Sequence, residues 1–490
     1  MLAICAITAE SVSCDSAHVT TNSLRVVHVL QSESNGDRHY VGITASNGRL
    51  DPSAGRFFPE QTAPGRPGSR RRIMTTASPI SHPVPFASGL LFAVALVLAF
   101  LTSWTVIPAP NRPLLALGVG APELSPWLAF GGLVVCVLAV GARDRDILAR
   151  ATLVLAVVAT ALASVPLVQL PFVVRRFDAT MRAALGDDFL RGVSSDRRAR
   201  LRPAPIILRD LFLGIDAGEA RVSRNIPFAA PQGVRLTVDV YRPVSAGQYP
   251  SVVQVYGGAW QRGAPGDDAK FATYLAARGF VVFAIDYRHA PQWPWPAQIE
   301  DVRASLGWVR EHGGEYGADV SRLALLGRSA GAQLAMVAAY ESDAVPILPV
   351  MPIRAVVSYY GPVDLTDGYR NPPRPDPLDV RSIEAAFLEG TPNQIPDRYR
   401  EASPITYMSR RLPPSLLIYG GRDHVVLPRF GATLNDRLHA AGATSVLLTI
   451  PWAEHAFDAI PNGPSGQLSL YYTEQFLEWA LSRASPDRQP

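Results

Sequence analysis

The sequence predicts an α/β chain with a doubly wound, mostly parallel sheet, preceded by an all-α transmembrane region. Three observations predict it. From residue 234 onward, short apolar runs alternate with helix-like segments. One of these alternations, Leu323 to Ala335, reads as a strand, then Gly-x-Ser-x-Gly, then a helix of small residues. Between residues 84 and 176 lie three apolar runs that are nearly free of charge.

The chain has 490 residues, more than one typical domain holds. Residues 1–73 are polar and broken by Gly and Pro, with neither a period of two nor one of 3.6, so they are predicted to be a disordered extension. Met74 opens Thr75-Thr76-Ala77-Ser78-Pro79, which reads like an ordinary protein start, and translation is expected to begin there. In the region 84–176, Phe86 to Ile107 has the ~20 apolar residues that cross a bilayer. Leu153 to Val174 is a second such run, with Pro166 and Pro171 as tolerable kinks. Between them, Pro126 to Gly141 extends backward through Leu115 to Pro122, interrupted only by the charge of Glu123. Three spans are therefore expected, with Trp104 and Trp127 near span ends as interface aromatics. Arg143, Arg145 and Arg150 favour a cytoplasmic second loop, whereas Arg175, Arg176 and Arg182 favour the opposite orientation.

Residues 177–204 read as a basic linker containing Arg197, Arg198, Arg200 and Arg202. No aromatic residues interleave with these arginines, so nucleic acid is not expected as a partner. Anionic headgroups beside a membrane span are one reading, and a solvated linker is the other. The α/β region is expected over residues 205–485. Strands are predicted at Val234–Tyr241, Ser251–Val255, Phe280–Ile285, Leu323–Leu326, Ala355–Tyr359, Ser415–Tyr419 and Ser445–Ile450. Helices are predicted at Ala269–Ala277, Ala297–Glu311, Ala330–Tyr340, Phe430–Ala441 and Leu468–Leu481. The first strand alternates apolar and polar residues and so is expected to be an antiparallel edge strand. The Pro-rich stretch Thr366 to Pro404 interrupts the alternation and is expected to form a small cap, with Trp260, Trp293 and Trp295 as candidate pocket residues.

A sharp strand-to-helix turn would lift Ser329 above the sheet, with Gly327 and Gly331 leaving room on either side. Asp423 ends the strand Ser415–Tyr419 through a Gly-Gly turn, and His455 lies in the loop after Ser445–Ile450. The order Ser329, Asp423, His455 is the one such a fold requires of nucleophile, acid and base. A serine hydroxyl needs a base to take its proton, and an acid to hold that base in the right tautomer. Asp364, His424 and Glu454 are the nearest competitors. Asp364 ranks below Asp423 because its strand directly follows the nucleophile helix. His289, His312 and His439 read as loop or helix-surface histidines. The strand ending in Tyr256-Gly257-Gly258-Ala259 offers backbone donors to an oxyanion, with the N–H of Ala330 as the further donor.

These motifs resemble those of α/β-hydrolase carboxylesterases of the hormone-sensitive-lipase and feruloyl-esterase-like (BD-FAE) type. The resemblance rests on Tyr256 to Ala259, on Asp286-Tyr287-Arg288-His289-Ala290-Pro291, on Asp301-Val302, on Gly327 to Gly331 and on Tyr360 to Leu365. It spans about Tyr241 to Leu481. Tyr256 stands where the family usually has histidine. The resemblance implies hydrolysis of carboxylic esters through an acyl-enzyme, with amidases, formamidases and peptidases on the same fold as alternatives. A non-catalytic binding protein and a transporter with an appended domain are further alternatives; the complete triad counts against the first, and the scarcity of ionisable residues in the spans against the second.

Composition sets outer bounds. Cys5, Cys14 and Cys136 all lie outside the α/β region, so neither a disulfide nor a cysteine nucleophile is expected there. No metal-ligand spacing or phosphate-cradling glycine loop is present, and no cofactor is expected. The net charge of +4 points to no highly charged partner. The expected partners are a small-molecule or lipid ester and membrane lipids, at a multi-pass location in a bacterial plasma membrane.

Overall fold

The computed structural model describes residues 85–141, 147–341, 353–408 and 412–483. The extension 1–73, the start at Met74 and the loop arginines Arg143 and Arg145 lie outside the described residues.

Four helices come first: α1 (Pro85–Ser103), α2 (Arg112–Glu123), α3 (Ser125–Val140) and α4 (Ile147–Leu185). Asn111 starts α2, its side chain accepting the Leu114 N–H, and Pro113 follows in the first turn, where a missing N–H costs nothing. The three expected spans take a different form. Among the described residues, α4 is the one helix long and apolar enough to cross a membrane. α2 and α3 pass only as a pair, and they bend by 76° at Leu124 between Pro122 and Pro126. α1 is a shorter apolar helix.

The boundary expected at residue 176 falls inside α4, which runs on to Leu185 and buries Phe177 and Met181 in the main core. The basic stretch that follows, with α5 (Ser195–Arg200) and α6 (Leu208–Leu213), is not a free linker. Arg197 pairs with Glu478 at 2.6 Å, and Arg202 pairs with Asp210 at 2.9 Å. Buried or half-buried arginines find carboxylates here because an unpaired charge would cost far more than the pair.

The sheet has eight strands in the order β1-β2-β4-β3-β5-β6-β7-β8. They are β1 (Arg221–Ala229), β2 (Leu236–Arg242), β3 (Tyr249–Val255), β4 (Val281–Ile285), β5 (Ala318–Arg328), β6 (Ile353–Tyr359), β7 (Ser415–Gly420) and β8 (Ser445–Ile450). β2 is antiparallel to both neighbours, and β4 to β8 and β3 pair in parallel. This is the doubly wound sheet the sequence predicts and the arrangement the resemblance implies. β2 is antiparallel as expected but is not the edge, because β1 covers it. β1 escaped prediction because most of its side chains are exposed or half-buried, so no apolar face marks it.

The longer helices between strands are α7 (Ala269–Ala277), α8 (Ala297–His312), α9 (Ala330–Tyr340) and α13 (Arg429–Ala440), and α14 (Pro464–Ser482) follows β8. Between β6 and β7 the chain forms three short helices, α10 (Leu365–Arg370), α11 (Val380–Leu388) and α12 (Pro396–Glu401), where the cap was expected. α9 is buried on all sides, which explains its run of Ala, Gly and Leu. The interior strands β4 and β7 are likewise wholly buried, as strands with both faces covered must be.

Candidate active site

Ser329 sits between the end of β5 and the start of α9 with φ 50° and ψ −121°. This left-handed backbone at a non-glycine residue costs about 1–3 kcal/mol and persists only where its surroundings enforce it. They do so through the Ser329 N–H, which donates to Tyr359 O at 2.9 Å, and through two close approaches. A Cβ on Gly331 would stand 2.2 Å from Tyr256 O, and one on Gly327 would stand 2.3 Å from Gly331 O. The two glycines flanking the serine are therefore required by space.

His455 follows β8, and Asp423 follows β7, both at the carboxyl ends of their strands. The structure brings all three residues together. His455 Nε2 lies 3.0 Å from Ser329 Oγ, and His455 Nδ1 lies 2.8 Å from Asp423 Oδ2. The tautomer that serves both contacts carries its proton on Nδ1 and leaves Nε2 to accept from the serine hydroxyl. Asp423 is 1% exposed, and its Oδ1 accepts the N–H groups of Val425 and Val426 at 2.8 and 2.7 Å. Burial pushes the His455 pKa down, but the charge and hydrogen bond of Asp423 outweigh it and hold it above the ordinary 6.5.

The competitors have other work. Glu454 Oε1 accepts the N–H of His424 at 2.7 Å and that of His455 at 3.0 Å, while Oε2 lies 2.6 Å from His424 Nδ1. Glu454 thus ties the acid loop to the histidine loop. Asp364 caps α10 by accepting the Asp367 N–H at 3.0 Å. His439 contacts Ser445 O, and exposed His312 pairs with Glu315. His289 is more than a loop histidine: its Nε2 lies 2.9 Å from the Tyr256 hydroxyl, which donates to Asp286 Oδ1 at 2.6 Å. Tyr256 also stacks on Tyr287 at 4.5 Å. Tyr256 thus braces the start of the loop that carries Gly257 and Gly258.

Gly257, Gly258 and Ala330 line the same cavity as Ser329 and His455. Among the described residues, no protein acceptor takes the N–H of Gly257, Gly258 or Ala330. Ala330 opens α9, where the first N–H groups have no partner within the helix. A Cβ on Gly258 would meet Arg262 O at 2.0 Å, and one on Gly257 would meet Arg328 O at 2.9 Å, so the loop packs too tightly for side chains.

The cavity has a volume of about 610 Å³, within the range of small-molecule sites. Trp260 lines it, stacked on Phe387 of the cap at 4.1 Å and 4°, with its Nε1–H donating to Gln333. Trp295 packs edge-on against Phe387 and, like Trp293, does not line the cavity.

Sequence reasoning missed two groups. Arg328 is buried beside the serine, 2.5 Å from Asp458 and 3.3 Å from Asp268, and Tyr360 also donates to Asp458. Only their long-range pairing reveals them. The second group is a face of α2, read from sequence as part of a membrane span, that borders the cavity. Among the described residues, no cluster of His, Cys, Asp or Glu has the makings of a metal site.

Residues 238–438 match the BD-FAE family model. The α/β region is also similar to carboxylic ester hydrolases. It is 32% identical over 239 residues to the esterase LipC of Mycobacterium tuberculosis, covering 47% of this chain and 59% of that protein. It is 30% identical over 238 residues to the probable carboxylic ester hydrolase LipM of the same organism, covering 47% of this chain and 54% of that one. The chain thus spans somewhat over half the length of these curated relatives. Among solved structures, a bacterial heroin esterase superposes with a TM-score of 0.48 at 22% identity, over 65% of this chain and 93% of that one.

Proposed function

We propose that this protein is a membrane-anchored serine carboxylesterase or lipase. Ser329 attacks the ester carbonyl, His455 takes its proton, and Asp423 orients the imidazole and stabilises its cation. The N–H groups of Gly257, Gly258 and Ala330 receive the oxyanion. The alcohol leaves with the proton from His455, and water then releases the acid from Ser329 by the same route. The single observation that carries this reading is the continuous contact from Ser329 Oγ through His455 to Asp423, with Ser329 and His455 lining a mostly apolar cavity.

The membrane part of the proposal rests on exposed apolar surface. Leu96, Val97 and Phe100 of α1, Phe130, Leu133 and Val137 of α3, and Val154, Val168 and Phe172 of α4 are all more than half exposed. Apolar side chains so concentrated on neighbouring helices need a covering, and hydrocarbon supplies it. Membrane lipids are then partners of α1, α3 and α4.

Hydrolysis of p-nitrophenyl esters from acetate to palmitate by the full chain in detergent, beside Ser329→Ala, tests the chemistry. Loss of turnover in the variant is expected; turnover equal to that of the wild type would overturn it. Retention in the membrane pellet after an alkaline carbonate wash tests the anchoring.

A further inference from the structure

The cavity has an unexpected wall. Arg112, Leu115, Ala116 and Val119 of α2 line it. Their spacing of three, four and seven residues is that of one helical face. α2 is joined to the apolar bundle through α3, but the 76° bend at Leu124 turns it away from the line of that bundle. It also flanks one particular side of the site. A Cβ on Gly118 would stand 3.8 Å from Cγ of Glu454, the residue before His455. Ala456, Ala459 and Ile460 of the histidine loop line the same cavity.

This placement has a chemical meaning that rests on the serine-esterase reading. In the acyl-forming step, Ser329 Oγ bonds to the carbonyl carbon and the bond from that carbon to the alcohol oxygen breaks. The alcohol oxygen takes the proton that His455 removed from Ser329, so it must lie within reach of His455 Nε2. The carbonyl oxygen points instead at Gly257 and Gly258, on the wall that continues into Trp260 and the cap. The leaving alcohol therefore lies on the histidine side, against α2, and the acyl group faces the cap.

We propose that α2 is the alcohol subsite, and that Leu115, Ala116 and Val119 select esters whose leaving alcohol carries a long apolar chain. Past Arg112 at its amino end, the α2 wall is apolar through Leu115, Ala116 and Val119, and the small, exposed Ala116 leaves space that a chain can fill. Selectivity for the alcohol would then reside in the N-terminal helical region, outside the residues 238–438 that match the family model.

The test uses the full chain in detergent micelles and two substrate series. Alkyl acetates from ethyl to decyl vary the alcohol, and p-nitrophenyl esters from acetate to decanoate vary the acyl group. Ala116→Trp fills the wall, and Ala116→Leu fills it in part. Ala116→Trp is expected to lower the decyl-to-ethyl ratio of kcat/KM by about tenfold or more, as loss of several chain contacts should. Ala116→Leu should lower it less, while the decanoate-to-acetate ratio moves by less than about twofold. Continued fluorophosphonate labelling of Ser329 shows that each variant is folded. A fall in the acyl ratio instead, or an equal fall in both, overturns the assignment of α2. A wild-type chain inactive on both series and unlabelled overturns the esterase reading itself.

Discussion

A carboxyl oxygen of Glu123, at the end of α2, accepts the backbone N–H of Ser465 in the first turn of α14 at 2.9 Å. The residue before that turn, Gly463, makes no side-chain cap, so Glu123 serves as the cap from a distant part of the chain. A Cβ on Gly463 would stand 2.3 Å from Glu123 Oε2, which explains the glycine. Helix α2 is thereby fixed to the α/β region at its carboxyl end, about one turn past the residues that line the cavity.

Removing this cap should cost stability. Glu123→Ala leaves the Ser465 N–H buried and unpaired, for a loss of about 1–2 kcal/mol. Glu123→Gln keeps an acceptor and should lose less. Thermal unfolding in detergent measures both.

The serine elbow should tolerate no side chain at its second glycine. Gly331→Ala forces a Cβ to within 2.2 Å of Tyr256 O and should cost about 1–3 kcal/mol by overpacking. It should also pull the oxyanion loop away from Ser329, lowering kcat more than it raises KM. A variant with wild-type kcat and wild-type melting would contradict the packing described here.

The pH dependence follows from His455, which must be neutral to accept the serine proton. Asp423 holds its pKa above the ordinary 6.5, so activity should be low at mildly acid pH and rise through a midpoint above 6.5. The charge of Glu454 also pushes it up, so Glu454→Gln should move the acid limb of the kcat/KM profile to lower pH. A limb that stays in place would show that Glu454 holds the loops without tuning the base.

The Tyr256 hydroxyl ties the strand end before Gly257 and Gly258 to Asp286 and His289. Tyr256→Phe removes that buried donor and should cost about 1–2 kcal/mol. On the proposed mechanism turnover should fall by up to about tenfold, with KM little changed, because a loop that receives the oxyanion would serve the transition state more than the ground state. Steady-state kinetics on one p-nitrophenyl ester separates the two constants.

These effects were unequally legible in the sequence. Ser329, Asp423 and His455 could be read because each follows an apolar strand and the three occur in the order the fold demands. The flanking glycines announced the close approaches at the elbow. β1 could not be read, since its exposed side chains leave no periodic signal. The pairing of Arg328 with Asp268 and Asp458 joins residues far apart in sequence, so no local pattern encodes it. The role of α2 at the cavity could not be read for a physical reason: a helix facing an apolar cavity and one facing hydrocarbon need the same side chains. The bend at Leu124 and the bond from Glu123 to Ser465, which bring α2 to the cavity, leave no mark in the local sequence.

The central claim is that Ser329, activated by His455, is the nucleophile. Labelling of the full chain with a fluorophosphonate, followed by mass spectrometry of its peptides, tests it most directly. The expected result is one adduct, on Ser329, with His455→Ala slowing the labelling by at least about a hundredfold. An unlabelled Ser329 in a chain that still hydrolyses esters, or an adduct on another residue, would contradict it.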